Sequence, residues 1–406
     1  MPGFEEARRI ILANVQPLGE ERVPLLDALG RVVSQDLAAP WDHPLCDFSA
    51  MDGFAVRAAD CAHIPVTLTV TDYLPAGGSI EGSVAAGCAN KIMTGAPTPP
   101  GSDAIVPIEE VTEGEGTVTV REPVRPGQHI RRQGDDLKAG TVIFPAGTVI
   151  RPAEVSMLAS MGKAVVPVRR RARVAILSTG DELIDLGQSP TRGKVINSNA
   201  LSLAAAVRDA GGVPVLLGIA RDNRESHREK MLEGLKCDVL ITSAGVSAGD
   251  RDLVRAVLAE LGARQLFWKI DIKPGGPTAF AVKDGIPVFS LPGNPVSTMV
   301  TFELFVRPAL MKMMGHPKVI RPFVKGVLAE DVRKKQGKLN FIRVRIEKED
   351  GRYLAYSAGD QHTGVLSTIV RSDALAALPL DAAQVPAGTE VDLLFLHEVD
   401  LQEEPR

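Results

Sequence analysis

From Arg171 to Met314 short apolar runs alternate with stretches of helical period, and this alternation limits the fold more than any other feature of the chain. RVAILS, VPVLLGIA, DVLITS, RQLFWKIDI and IPVFS read as strands. NALSLAAAVRDAG, NRESHREKMLEGL and DRDLVRAVLAELG read as the helices between them. Strand and helix in turn specify a mostly parallel sheet covered on both faces, so residues 171–314 are expected to form a central α/β domain.

The flanks have a different texture. Residues 48–133 are rich in Val, Thr, Gly and Pro, as in VTLTVTDYLPAGGS and GTVTVREPV, and predict an inserted β domain. LKAGTVIFPAGTVIRPAEVSMLASMGKAVVPV reads as paired β turns and then a helix whose first turn accepts Pro152. With the amphipathic opening MPGFEEARRIIL, residues 1–47 and 134–170 are expected to make an elongated connecting domain, whose N-terminal part could also pack on the α/β domain. Alternation returns after Pro317 in FVKGVLAEDV, FIRVRIEKEDGRYLAYSAG and TEVDLLFL, with a hairpin turn at Glu349-Asp350-Gly351, so residues 315–406 predict a small C-terminal β domain.

A chain of 406 residues holds two to four domains at about 150 residues each, and this division uses four. A net charge of -4 and 4% aromatic residues argue against a nucleic-acid surface and leave a small ligand as the expected partner. Cys46, Cys61, Cys88 and Cys237 are scattered without a CxxC pair, so neither a zinc cluster nor a disulfide framework is expected and the thiols read as those of a cytoplasmic protein. No signal peptide and no apolar run long enough for a bilayer is apparent, which excludes a membrane role from the expectation.

In an open α/β sheet, ligands bind beyond the carboxyl ends of the strands where strand order reverses. Three turns fall at such ends: STGDEL from Ser178, TSAGVSAGD from Thr242, and LPGNPVS from Leu291. Ser178, Thr179, Gly180, Ser243, Gly245, Ser247, Gly249, Gly293, Asn294 and Ser297 offer hydroxyls, amides and close backbone approach, which suit phosphate or another oxyanion. One such turn is as readily a connector as a binding loop. Three at the same edge of one sheet favour a crevice.

Neither GxGxxG nor GxxxxGK[ST] occurs at these turns, and there is no HxxxH spacing among the histidines. Dinucleotide, P-loop and zinc-hydrolase chemistry therefore lose their support. Glu182, Asp250 and Asp252 place carboxylates beside the turns, where magnesium could join them to phosphates or where they could simply favour a helix N-terminus. Lys273, before a Pro-Gly-Gly-Pro turn, could reach an anion in the same crevice.

SAMDGFAV, IMTGAPTPPGSDAIVPIEE, IRRQGDDLKAG, LSTGDEL, INSNALSL, SAGVSAGDRD, FWKIDIKPGGP and LPGNPVS stand in the order found in the molybdopterin molybdenumtransferase family, which includes bacterial MoeA and the animal gephyrin E domain, and nearly the whole chain resembles it. The resemblance implies a four-domain subunit with a molybdopterin-binding α/β domain, in an elongated homodimer with shared clefts. It implies that molybdenum passes from molybdate to adenylylated molybdopterin, with Mg2+ and release of AMP. A molybdopterin adenylyltransferase and molybdoenzyme maturation proteins are the further partners it suggests.

Matched position by position, the resemblance gives functional acids at Asp52, Asp136, Glu182, Asp222 and Asp252, with Thr94 and Arg131 beside them. Pro292 and Pro295 match the prolines of the family's turn, Lys273 an oxyanion-site lysine, and Arg343 and Thr363 an arginine and a serine of the last domain, which the resemblance places among the substrate- and oxyanion-binding residues. The family turn Lys-Pro-Gly-Lys-Pro is here Lys273-Pro274-Gly275-Gly276-Pro277, so one cation is replaced by glycine. A weakened or tungstate-using oxyanion site and a gephyrin-like scaffold are the alternatives to full transferase activity.

Overall fold

Parallel pairing dominates the centre of the computed structural model, which describes residues 1–79, 82–244 and 253–398. The central sheet contains β1 (Arg173–Thr179), β2 (Val213–Ala220), β3 (Val239–Ser243), β4 (Arg264–Phe267), β5 (Ala279–Lys283) and β6 (Ile286–Leu291). Their spatial order is β2-β1-β3-β6-β5-β4. The pairs β1–β2, β1–β3 and β3–β6 are parallel, and β5–β6 and β4–β5 are antiparallel. The expected mostly parallel sheet is present, with an antiparallel edge.

Burial explains the direction of that pairing. β1 and β3 are buried almost throughout, the signature of strands covered on both faces. The cover comes from α1 (Ser198–Asp209), α2 (Arg224–Gly234), α3 (Leu253–Glu260) and α4 (Pro295–Thr301). One core joins Val174, Ile176, Leu203, Val207, Ile241 and Phe289 on one side of the sheet; another joins Ala175, Leu177, Leu240, Val254 and Val288 on the other. Asn197 caps α1 by accepting from the Ala200 amide at 3.4 Å, and Asn223 caps α2 by accepting from the Ser226 amide at 2.9 Å.

Two departures from the expected strands matter for the site. RQLFWKIDI is not one strand: β4 stops at Phe267, and Ile272–Lys273 pairs in parallel with Leu339 and Asn340 in a different sheet. β5, which the sequence patterns do not separate from its turn, forms a hairpin with β6 through Asp284 and Gly285, a dipeptide suited to tight hairpin turns.

The sheet joined by Ile272–Lys273 is nearly all C-terminal. It contains β7 (Val324–Leu328), β8 (Leu339–Glu349), β9 (Arg352–Ser357), β10 (Ala374–Leu378) and β11 (Glu390–Phe395). β8 pairs with β9, β9 with β7, β7 with β11, β11 with β10, and β10 again with β8. The ring of pairings is closed, so these strands form a small barrel without free edges. Glu349 faces Arg352 across the expected tight turn.

The opening helix Phe4–Ala13 packs against both the central domain and the barrel. The Phe4 ring lies 5.7 Å from that of Phe305 and 5.1 Å from that of Phe341, and Ala7 and Ile11 join the same core. Burying Phe4 contributes about 2–3 kcal/mol to holding the helix there.

The chain packs as two compact units, one comprising Met1–Ser34, Gly147–Val155 and Val165–Arg406, the other Gln35–Ala146 and Ser156–Ala164. The second unit has its own six-stranded sheet, from Gly53–Val56, Val66–Leu74, Cys88–Ile92, Ala104–Pro107, Val111–Gly114 and Thr117–Val120. Phe54, Leu68, Ala89, Val106 and Val118 form its core. Among the described residues no helix is long and apolar enough to cross a membrane.

Candidate active site

β1 has β2 on one side and β3 on the other, so strand order reverses at β1. Beyond the carboxyl ends of β1, β3 and β6 lies a cavity of about 590 Å³. Its walls come from Glu182 and Leu183 after β1, Asn197 and Asn199 at the start of α1, Ser243 and Ala244 at the end of β3, and Pro292 to Pro295 after β6. This is where an open α/β sheet presents hydrogen-bonding groups to a ligand.

The walls are tied together by amide side chains. Asn199 donates through Nδ2 to Ser243 Oγ at 2.9 Å and to the Gly293 carbonyl at 2.8 Å, joining the turns after β3 and β6. Its Oδ1 is buried and has no hydrogen-bond partner among the described residues. Ser178 is buried beneath the wall and donates to Asn197 Oδ1 at 2.8 Å. Thr298 donates to the carbonyls of Pro292 at 2.5 Å and Asn294 at 3.0 Å, which fixes the LPGNPVS turn from inside.

Gly180 has φ +133°, and a Cβ on it would overlap the Glu182 carboxylate. The missing side chain is what lets that carboxylate fold back over the end of β1 on the cavity wall. Among the described residues no group of three His, Cys, Asp or Glu side chains is gathered to hold a metal. One carboxylate in a polar cavity still suits magnesium, which keeps waters and takes further oxygens from substrate phosphates.

A second cavity, of about 490 Å³, shares Pro277 and Asn294 with the first. It is lined by Lys273 and the turn through Pro277, by Ser297, by Lys335, Gln336, Lys338 and Asn340 leading into β8, and by Thr363. Asn294 donates to Thr363 Oγ1 at 3.1 Å, which links the turn after β6 to the barrel. Asn340 donates to the Lys338 carbonyl at 2.8 Å and so shapes the approach to β8.

The residues expected from the sequence fall into several places. Glu182, Ser243, Pro292, Gly293, Asn294 and Pro295 line the first cavity; Lys273, Ser297 and Thr363 line the second, together with Asn294. Ser178 and Thr179 are buried at the end of β1, behind the wall. Asp222 sits outside both linings and exchanges backbone bonds with Asp181: the Asp181 amide reaches Asp222 Oδ2 at 3.4 Å, and the Asp222 amide reaches Asp181 Oδ1 at 3.3 Å. Gly245, Ser247, Gly249, Asp250 and Asp252 lie outside the described residues.

Arg343 differs from the expectation that it meets an oxyanion directly. It lines neither cavity; its side chain is fully buried, donating from Nε to Thr368 Oγ1 at 2.8 Å and from one terminal nitrogen to the Asp360 carbonyl at 3.0 Å. Gln361 exchanges bonds with the Arg343 backbone at 2.9 and 3.0 Å. Arg343 therefore braces the loop that presents Thr363.

Asp52, Thr94, Arg131 and Asp136 belong to the second unit. Thr94 donates to Asp52 Oδ1 from both its amide and its hydroxyl, each at 2.7 Å, and these bonds hold the Asp52 carboxyl below the usual carboxylate range. Arg131 is exposed on the short strand Ile130–Arg131, and the Asp136 carboxylate lies 4.0 Å from His43 Nε2.

The motif INSNALSL contains Asn197 and Asn199 without giving either a role, and no sequence pattern marks Lys335, Lys338 or Asn340. Asn197 had a readable signal, since an asparagine directly before a helical run is a favoured N-cap. Lys335, Lys338 and Asn340 are isolated polar residues whose meaning comes only from what the fold brings beside them.

The sequence matches three family models: MoeA N-terminal region (domain I and II) over residues 3–162, probable molybdopterin binding domain over 175–312, and MoeA C-terminal region (domain IV) over 325–396. Molybdopterin molybdenumtransferase 2 of Mycobacterium tuberculosis is 36% identical over 97% of this chain and 99% of its own. The molybdopterin molybdenumtransferase of Bacillus subtilis is 33% identical, over 100% of this chain and 96% of its own. A crystal structure of the molybdopterin biosynthesis MoeA protein of Pyrococcus horikoshii covers 98% of this chain and 99% of its own, with a TM-score of 0.86 at 28% identity; a second reaches 0.81 at 32% and covers 97% and 100%. With full-length relatives of that name and family matches along most of its length, the chain belongs to the molybdopterin molybdenumtransferase family of enzymes.

Proposed function

We propose that this protein transfers molybdenum from molybdate to adenylylated molybdopterin and releases AMP in a magnesium-dependent reaction, as a step in molybdenum cofactor biosynthesis. The observation that carries the proposal is the meeting of the two cavities at Pro277 and Asn294. One is a polar crevice at the strand ends, suited to a phosphorylated ligand; the other carries three lysines, suited to a tetrahedral oxyanion.

In this scheme the first cavity takes the adenylylated pterin. Asn199 holds Ser243 and Gly293 at a fixed separation, so donors and carbonyls face the ligand without reorganising when it binds. Magnesium, when bound, would neutralise phosphate charge, with Glu182 as a carboxylate ligand. Lys273 and its neighbours hold the oxyanion in the second cavity, and Asn294, common to both linings, sets the distance between the two reactants. The pterin dithiolene supplies soft sulfur ligands for the metal, so no protein nucleophile is required. Positioning of two anions that repel each other in water is the main contribution of the chain.

Asp52, Thr94, Arg131 and Asp136 are assigned to the same reaction through a homodimer in which one subunit's cleft is completed by its partner, and the protein is assigned to the cytoplasm. Light scattering on the purified chain tests the dimer; a monomer at working concentration removes that assignment.

The function is tested by incubating the purified protein with adenylylated molybdopterin, molybdate and magnesium and measuring AMP. Release above a protein-free control is expected, with tungstate run in parallel to define oxyanion preference. If the protein binds the adenylylated pterin and AMP stays at the control level, the transferase function is wrong.

A further inference from the structure

We infer that Lys338, reaching from the C-terminal barrel, is the second oxyanion-binding cation beside Lys273 and acts from the space left by Gly276. Its use of molybdate rests on the transferase function proposed above; the site itself rests on geometry. The turn Lys273-Pro274-Gly275-Gly276-Pro277 has a single cation at its start. A Cβ built on Gly276 would lie 3.9 Å from Lys338 Nζ and 3.3 Å from the Ile272 carbonyl. The ammonium group therefore stands next to the volume that a side chain from position 276 would enter.

Backbone pairing makes this juxtaposition a fixed feature. Ile272 faces Leu339 and Lys273 faces Asn340 in a parallel ladder between the turn and β8. That register sets Lys338 alongside Asp271, and Lys338 Nζ is 3.8 Å from Asp271 Oδ1. At that distance the two make no hydrogen bond, and Lys338 is 46% exposed, so its donors are available to a ligand.

The charge balance of the cavity points the same way. Lys273, Lys335 and Lys338 line it, and among the described residues none of its lining is acidic. Ser297, Asn340 and Thr363 add neutral polar groups around the lysines. With Asp271 beside Lys338 as a single opposing carboxylate, the three lysines leave an excess of positive charge at the cavity, which a doubly charged oxyanion offsets. Because Lys273 and Lys338 come from different elements, the anion would be gripped from two sides.

The test is calorimetric titration of the full-length protein with molybdate alone, and then with tungstate and sulfate. Lys338→Gln is expected to weaken molybdate binding about tenfold and to flatten its salt dependence, the loss of one charge-assisted contact. Lys338→Arg should retain most of the affinity. In the Lys338→Gln background, Gly276→Lys should restore binding to within about threefold of wild type, because it returns an ammonium group to the same region. Wild-type affinity in Lys338→Gln, or no recovery in the double variant, overturns the inference, as does a wild-type protein that binds no oxyanion. Binding that follows the expected pattern without AMP release removes the transferase function and leaves the lysine pair standing. AMP release in Lys338→Gln at the wild-type KM for molybdate does the reverse.

Discussion

Asn294 Nδ2 donates to Thr363 Oγ1 at 3.1 Å, so one hydrogen bond ties the turn that ends the central sheet to a loop of the C-terminal barrel. Asn294 lines both cavities and Thr363 lines the second, which makes this pair a coupling between the two cavities.

Asn294→Ala and Thr363→Val are each expected to lower kcat/KM for AMP release about tenfold, and the double variant to be little worse than either, because both remove the same bond. Thr363→Ser keeps the hydroxyl and should stay near wild type. Steady-state AMP release at saturating magnesium measures this; additive losses in the double variant would mean that the two residues act independently.

Arg343 is fully buried, and its hydrogen bonds to Thr368 and to the Asp360 carbonyl hold the loop that carries Thr363. Arg343→Ala leaves those acceptors without their donor and is expected to cost about 3 kcal/mol of unfolding free energy. Arg343→Lys cannot reproduce the planar fork and should recover only part of the loss. Urea unfolding midpoints decide the matter. A stable Arg343→Ala protein that loses only oxyanion affinity would return Arg343 to direct contact with the ligand.

The central sheet was legible because continuous apolar strands and helical periods carry strong local signals, as in RVAILS and NALSLAAAVRDAG. The C-terminal barrel was legible only as β structure. Its closure depends on β10 returning to β8, a long-range pairing that leaves no periodic mark. Strand β8 shows the difficulty: Asn340 through Val344 are all buried, charged Arg343 included, so the period of two is lost where the barrel meets other packing. The site divides along the same line. Glu182, Lys273 and LPGNPVS could be found at strand ends, whereas Lys338 becomes meaningful only through the two-residue ladder beside Lys273.

Gly180→Ala tests the seat of the Glu182 carboxylate. At φ +133° alanine is strained, and its methyl group would overlap the carboxylate. A displacement of about 1 Å at a reacting centre can cost on the order of 100-fold in rate, so a loss of that size is expected together with a higher magnesium requirement. AMP release measured across a magnesium series checks it. A Gly180→Ala enzyme with the wild-type magnesium dependence would exclude Glu182 as a metal ligand.

The Arg170–Asp238 pair supplies an acid-sensitive contribution to stability that is separate from the site. Arg170 meets both Asp238 oxygens, at 2.8 and 2.7 Å, and the Arg173 amide adds a third bond at 2.8 Å. Burial pushes the Asp238 carboxyl up, but the bonds from Arg170 and the Arg173 amide outweigh it and hold the group below its ordinary value. A carboxyl depressed in the folded state stabilises the protein fully above its unfolded value, about 3.9, and loses that contribution as pH falls through the lower folded value. Asp238→Asn is therefore expected to cost about 2 kcal/mol at neutral pH, with a gap from wild type that narrows below about pH 4. Denaturant unfolding of both proteins from neutral to acid pH measures the gap. A difference that stays constant down to the lowest pH at which both fold would show that the charge of Asp238 contributes nothing and that only its packing matters.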